Sequence, residues 1–257
     1  MTAVSWWLSD SWQMIKRNLI HIRRTPELLI DVTLSPIMFV LLFTFVFGGA
    51  IPIPGVEYVD FLMPGIFVQT IAFAGIYTGV LLANDLQKGM IDRFRSLPMQ
   101  QSTVLTGRTL TDLLRAMLAV SVMWIVGLLV GFRPEGGIVG AAGAIGLMLL
   151  FGFALSWVGV ALGGLVRTPE ALQGLIFMTV FPLTFASSAF VPTAGMPDWL
   201  RLFADNQPMT LVVDAVRSFT LAGNAGPETI PAVIWSVAIL VVSFPVGLWL
   251  YTRRTTQ

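Results

Sequence analysis

The strongest constraint in this chain is the length of its uncharged runs. No Asp, Glu, Lys or Arg interrupts residues 32–56, 61–84, 116–132, 136–166, 171–197 or 229–252. The runs are continuously apolar and do not alternate, which argues for helices over barrel strands. In hydrocarbon every backbone N–H and C=O must be paired within the protein, so an isolated apolar run satisfies itself only as a helix. Crossing takes about 20 such residues. Five runs are long enough outright, and 116–132 reaches that length if Asp112 and Arg115 snorkel at one end. The expected fold is therefore an all-α polytopic membrane protein with six transmembrane helices, a single domain over 1–257. Composition agrees: 11% of residues are charged, where soluble domains carry about 25%, and mean hydropathy is +0.82. A soluble enzyme, a nucleic-acid-binding module and a disordered chain are excluded. The absence of Cys excludes disulfides and thiolate metal sites.

Basic residues orient the spans. If the N-terminal segment, the 84–115 loop, 167–170 and the C-terminus share one side, twelve of the fifteen Lys and Arg lie there. Only Arg133, Arg201 and Arg217 fall opposite. Both termini are therefore expected in the cytoplasm of a cell that carries this chain in its inner or plasma membrane. No apolar core of a signal peptide precedes Asp10, Lys16 and Arg17, so no cleaved leader is expected. Instead Val4, Leu8, Trp12, Ile15, Leu19 and Ile22 recur at helical spacing, predicting an amphipathic helix over 1–24 that lies along the membrane surface. Thr25-Pro26-Glu27 and Thr168-Pro169-Glu170 each read as a helix start: a Thr cap, Pro at the first position and an acid at the positive dipole end.

Catalytic chemistry has little to build on. The one His, His21, lies in the amphipathic segment, and no zinc motif, nucleophile turn or phosphate-binding Gly-rich loop occurs. Neither catalytic nor metal-binding residues are expected, and no cofactor held by this chain. Asp31 sits about one turn into the first run, near the surface, as the deepest ionisable candidate for an ion-coupled carrier. A chain without an energy source of its own points to a partner that has one.

Two segments between the spans carry information. In the cytoplasmic loop over 84–108, Met90, Ile91, Phe94 and Leu97 make an apolar stripe among Lys88, Asp92, Arg93 and Arg95, and Pro98 closes it. A solvated loop and a helix that docks into a groove on another protein both fit that pattern. In the external segment over 191–229, Pro197–Asp205 and Pro208–Leu221 read as helices too short to cross, with Asp214 and Arg217 three apart on one face. Gly75/Gly79 and Gly159/Gly163 are Gly-x-x-x-Gly pairs suited to close helix packing, and the small-residue stretch 136–146 suits it too.

At these segments the sequence resembles the ABC-2-type exporter permeases, in the daunorubicin/doxorubicin drug-export group. The resemblance rests on Gln87-Lys88-Gly89-Met90-Ile91-Asp92-Arg93-Phe94-Arg95-Ser96-Leu97-Pro98, continued by Gly107-Arg108 and Asp112-Leu113-Leu114-Arg115. It rests equally on Ser187–Pro192, Met196–Leu200, Asn206–Thr210 and Ala215-Val216-Arg217. Gln87 replaces the family's usual Glu, and Gln207, at a helix-cap position before Pro208, its usual Asn.

The resemblance implies a half-transporter: two copies of this chain, a homodimer, with two copies of a separate ATPase that binds ATP and Mg. Gln87, Lys88, Gly89, Asp92, Arg93, Phe94, Arg95, Leu97 and Pro98 would couple to that ATPase, and the 1–24 helix would lie beside it. The second and fifth spans would face each other across the dimer. Phe67, Gln69, Phe73 and Tyr77 from one, and Phe177, Met178, Phe181 and Phe185 from the other, would line the path of a hydrophobic small molecule or lipid. The alternatives are a lipid or glycan exporter of the same fold, or an ion-coupled carrier.

Overall fold

The computed structural model describes residues 34, 37–48, 53, 55–87, 101–166 and 168–255, and these are helical almost throughout. In chain order they form α1 (Ile37–Val46), α2 (Tyr58–Gln87), α3 (Gln101–Val130), α4 (Gly137–Leu165), α5 (Pro169–Phe185), α6 (Asp198–Asn206), α7 (Pro208–Arg217) and α8 (Thr229–Thr255). The 1–24 segment and Asp31 lie outside the described residues.

Among the described residues three helices are long and apolar enough to cross a membrane: Tyr58–Gln87, Gly137–Leu165 and Thr229–Arg253. They correspond to the second, fourth and sixth uncharged runs. The third run is the apolar part, Ala116–Val130, of a helix that begins at Gln101. The fifth run does not stay helical to its end. Its helix starts where expected, with the Thr168 hydroxyl accepting the Ala171 N–H at 3.3 Å and Pro169 at the first position. It stops after 17 residues at Phe185, so the chain turns at Ser187 and Ser188 within what the sequence presents as one run. Because α2 runs on to Gln87 and α3 starts at Gln101, only 88–100 of the expected 84–108 loop lies outside these two helices.

Helix α2 is the axis of the bundle. From Phe61 to Ala72 every residue is buried, including Leu62, Met63, Ile66, Phe67 and Ile71. Its central neighbour is α4, and glycine sets their separation. A Cβ at Gly79 would lie 2.1 Å from the Gly159 carbonyl oxygen, one at Gly75 2.7 Å from that of Gly152, and one at Gly163 2.7 Å from that of Gly79. Gly79 thus packs on both Gly159 and Gly163, and Gly75 on Gly152, backbone to backbone, where dispersion between lipid-like side chains gives little preference for one partner. Helix α3 covers another side of α2, with the Trp124 ring stacked on Phe67 at 5.1 Å and both edge-on to Phe132. Helix α8 packs along α4, where Trp157 meets Phe244 at 4.5 Å, and leaves Ile230, Ile234, Val241, Val242 and Trp249 exposed.

Turns at one end of the bundle are pinned by polar contacts. Gly131 and Gly137, at φ +117° and +60°, let the chain reverse between α3 and α4. There the Arg133 N–H donates to Asp60 Oδ1 at 2.7 Å, in the first turn of α2. Gly136 and Gly140 accept the Phe219 carbonyl at a distance that no Cβ would permit, so the small-residue stretch seats the chain leaving α7.

Gly79→Val should therefore abolish a folded, monodisperse protein in detergent, because the atom it meets is backbone and cannot swing away. Gly146→Ala, which enters open space, should melt with the wild type. Fluorescence-detected size exclusion with a thermal ramp reads both.

Candidate functional site

Helices α2 and α5 meet inside a single chain. Ile76, Val80 and Ala83 of α2 pack on Leu172, Ile176 and Val180 of α5, with Phe73 and Tyr77 partly buried beside them. The expected meeting of these spans across a dimer is thus preceded by a seam within one copy. Helix α5 buries one narrow stripe, Leu172, Ile176, Val180 and Thr184, at a strict spacing of four. Its other faces are open: Phe177 is 59% exposed and Met178 79%, while Phe185 is exposed and Phe181 half-buried.

The eight residues expected along a path therefore separate into two groups. Phe67 has no exposed surface and Gln69 is buried; both belong to the interior of the chain, Phe67 wedged between Trp124 and Phe132. Position on the second span did not tell which of its faces the chain itself covers. Phe73 and Tyr77 border the seam, and Phe177, Phe181, Phe185 and Met178 stand on the open side. The rings form a ladder, Phe177 to Phe181 at 4.8 Å, Phe181 to Phe185 at 4.4 Å and Phe185 to Phe190 at 4.9 Å, which continues to Phe43 of α1 at 4.5 Å. Beneath it the Gln173 side-chain amide donates to the Tyr77 hydroxyl at 3.2 Å, in an exposed position on the seam.

The other end of α5 is closed by a polar cap. The Ser187–Phe190 turn is irregular backbone, and its polar groups are met one by one. Arg217 reaches from α7 to donate to the carbonyls of Ser188 at 2.9 Å and Phe61 at 3.1 Å, and its guanidinium lies 3.8 Å over the Phe61 ring. Asp214 pairs with Arg217 and accepts the Ser188 hydroxyl at 2.7 Å. The Ser188 N–H donates to Thr210 Oγ1 at 3.3 Å, and the Tyr58 hydroxyl donates to the Phe190 carbonyl at 3.1 Å. Gly65 admits the Ala189 carbonyl at a distance that excludes any side chain.

Burial raises the Asp214 carboxyl above its ordinary value, against the opposing pull of Arg217 and the Ser188 hydroxyl. Gln207 corrects an expectation: its side chain caps nothing on α7. Its amide instead donates to the carbonyls of Leu183, at 2.9 Å, and Ala186, which frees α5 to end there. Helix α7 is accordingly no peripheral helix, since Met209, Val212, Val213, Ala215 and Val216 all lie in the main core.

A family description, ABC-2 type transporter, matches residues 10–221. The chain belongs to the ABC-2 type transporter family. Over all 257 residues it is 38% identical to a daunorubicin resistance ABC transporter permease of Streptomyces coeruleorubidus, and covers 89% of that protein. A doxorubicin resistance ABC transporter permease of Mycobacterium tuberculosis is 27% identical over 191 residues, 71% of this chain and 65% of the relative. ABC transporter G family member 20 of Dictyostelium discoideum is 27% identical over 199 residues, 75% of this chain and 26% of that longer protein. This permease is the non-enzymatic membrane component of an ABC transporter, and ATP hydrolysis belongs to a separate ATPase subunit.

Of the residues expected to couple to an ATPase, Gln87 is the exposed last residue of α2, and Lys88, Gly89, Asp92, Arg93, Phe94, Arg95, Leu97 and Pro98 lie outside the described residues. Sequence reasoning missed Gln173 and Ser188. Both lie in the uncharged 171–197 run, and a signal was available for Gln173 alone: the one amide of that run, at helical spacing from Phe177 and Phe181.

Arg217→Met should cost about 3–5 kcal/mol, because it strands the Asp214 carboxylate and two carbonyls in the interior. Adding Asp214→Leu should recover part of that loss, measured as the midpoint of thermal unfolding in detergent.

Proposed function

We propose that two copies of this permease, with two ATPase subunits, export hydrophobic or amphipathic drug-like compounds along the open face of α5. Six spans with both termini in the cytoplasm is the topology we assign. It places α6, α7 and the polar cap at the outer surface and the Gln87 end of α2 at the inner one. The Trp249 ring under Arg253, 5.3 Å away, suits an interfacial anchor at that inner end. Closure of the ATPase dimer on ATP moves the Gln87–Pro98 segment, the inner ends of the spans shift with it, and the path opens outward past the polar cap.

One observation carries the location of the path. The α5 face that its own chain leaves open bears a ladder of rings and, at its foot, the exposed Gln173 amide bonded to the half-buried Tyr77 phenol of α2. A lipid-facing surface does not keep polar groups, whereas a path between copies that admits water and amphiphiles does. Aromatic rings and Met178 can re-pack around varied apolar bodies. The relatives named for daunorubicin and doxorubicin resistance support a drug as cargo. A lipid or glycan exporter of the same fold is the nearest alternative.

Reconstituted with its ATPase in vesicles, the permease should move daunorubicin outward, and Phe177→Ala with Phe181→Ala should cut that transport about tenfold or more while the protein stays folded. Unchanged transport in the double variant would sink the assigned path. Arg93→Glu should leave membrane insertion intact and separate ATP hydrolysis from transport; equal efflux at equal expression would remove the coupling role of the 87–98 segment.

A further inference from the structure

The geometry assigns Gln173 and Tyr77 to a hydrogen-bonding subsite that reads a neutral polar group, a hydroxyl or carbonyl, on the cargo and so sets which end of it enters first. The assignment rests on the path proposed above and deepens it.

Tyr77 lies about 15 Å from the Gln87 end of α2, and Gln173 about 6 Å from the start of α5, at 1.5 Å per residue. Both are within the apolar part of their helices. The Gln173 Nε2 donates to the Tyr77 oxygen at 3.2 Å, a long bond at the chain surface. That contact uses one of the amide's two N–H groups and leaves its carbonyl oxygen, together with the phenolic O–H, with no further partner among the described residues. The pair therefore offers a donor and an acceptor side by side at the surface of the chain. An amide and a phenol recognise by hydrogen bonding, so the site selects hydrogen-bonding capacity and not charge.

The surroundings decide what else the ligand must be. Gln173, Phe177 and Phe181 follow at spacings of four on one face of α5, so the amide sits directly below a ring that is 59% exposed and stacked at 4.8 Å on the next. Phe73 and Tyr77 repeat the pattern on α2, also four apart. A compound with one hydroxyl or carbonyl and a flat apolar body fits the pair and the ladder at once. A wholly apolar chain leaves the amide and phenol unmet. The same arrangement makes Gln173 and Tyr77 determinants of specificity: an amide and a phenol that must find partners reject a cargo lacking them more strongly than an apolar wall rejects an added hydroxyl.

The test uses the full chain with its ATPase in nanodiscs and two fluorescent probes of equal shape, 1-pyrenemethanol and 1-ethylpyrene. Wild type should bind the alcohol about fivefold or more tighter. Tyr77→Phe and Gln173→Leu should each bring the two affinities together by weakening the alcohol alone. A preference that survives both substitutions overturns the subsite, as does equal binding of the two probes by wild type. If the substitutions instead dissociate the transporter in native mass spectrometry while the preference stays, the pair only joins helices and the assignment falls. Probe binding that Phe177→Ala and Phe181→Ala abolish upholds the path whatever the subsite does. Failure of both probes to bind wild type removes path and subsite together.

Discussion

Everything in this structure follows from one requirement, that a backbone surrounded by hydrocarbon must pair its own polar groups. A helix does so automatically, which is why the uncharged runs are helical. The difficulty arises where a helix has to stop inside the bundle. Helix α5 ends at Phe185, and the turn that follows exposes carbonyls and N–H groups that neither water nor lipid is placed to satisfy. Arg217, Gln207, Thr210 and Tyr58 satisfy them instead, and Gly65 lets the turn come close enough for those bonds to form. Helix α7 is drawn into the core because it carries two of those four side chains, Thr210 and Arg217, and follows directly on a third, Gln207.

The charge within the cap is held there by the same logic. A guanidinium has five donors, and here they go to two carbonyls and a carboxylate while its flat face rests on Phe61. A lysine would supply one point charge and could not span α2, α7 and the turn together. The Asp214–Arg217 pair therefore works less as a salt bridge than as a three-way clamp, and most of its effect is in orienting neighbours. Asp60 does similar work more simply, tying the start of α2 to the α3–α4 turn through a backbone N–H.

Rigidity at the cap contrasts with openness along α5. That helix touches the rest of its chain through one residue per turn, so most of its surface waits for something outside the chain. Helices α2 and α4, locked by glycine contact, provide a fixed wall against which such a helix can move. The proposed export path lies at this boundary between a packed core and an unpartnered face, with aromatic rings above and an amide and phenol below.

The sequence by itself determined the class, the uncharged runs, the start of α5 and the short helices α6 and α7, because hydrocarbon leaves only one local solution for a long apolar run and because the Thr168-Pro169-Glu170 cap is local. Asp214 and Arg217 were legible as a pair for the same reason, lying three apart on one helix. What remained hidden were contacts across large separations. Nothing local distinguishes Phe67, sealed between Trp124 and Phe132, from Phe177, left open, since both are aromatic residues in uncharged helices. Nothing local shows that Gln207 reaches back to α5, that Gly79 fits Gly159, or that Arg217 meets Phe61 and Ser188. Those choices were made by tertiary packing, because in an apolar medium all faces of an apolar helix are equally acceptable until a neighbour covers one.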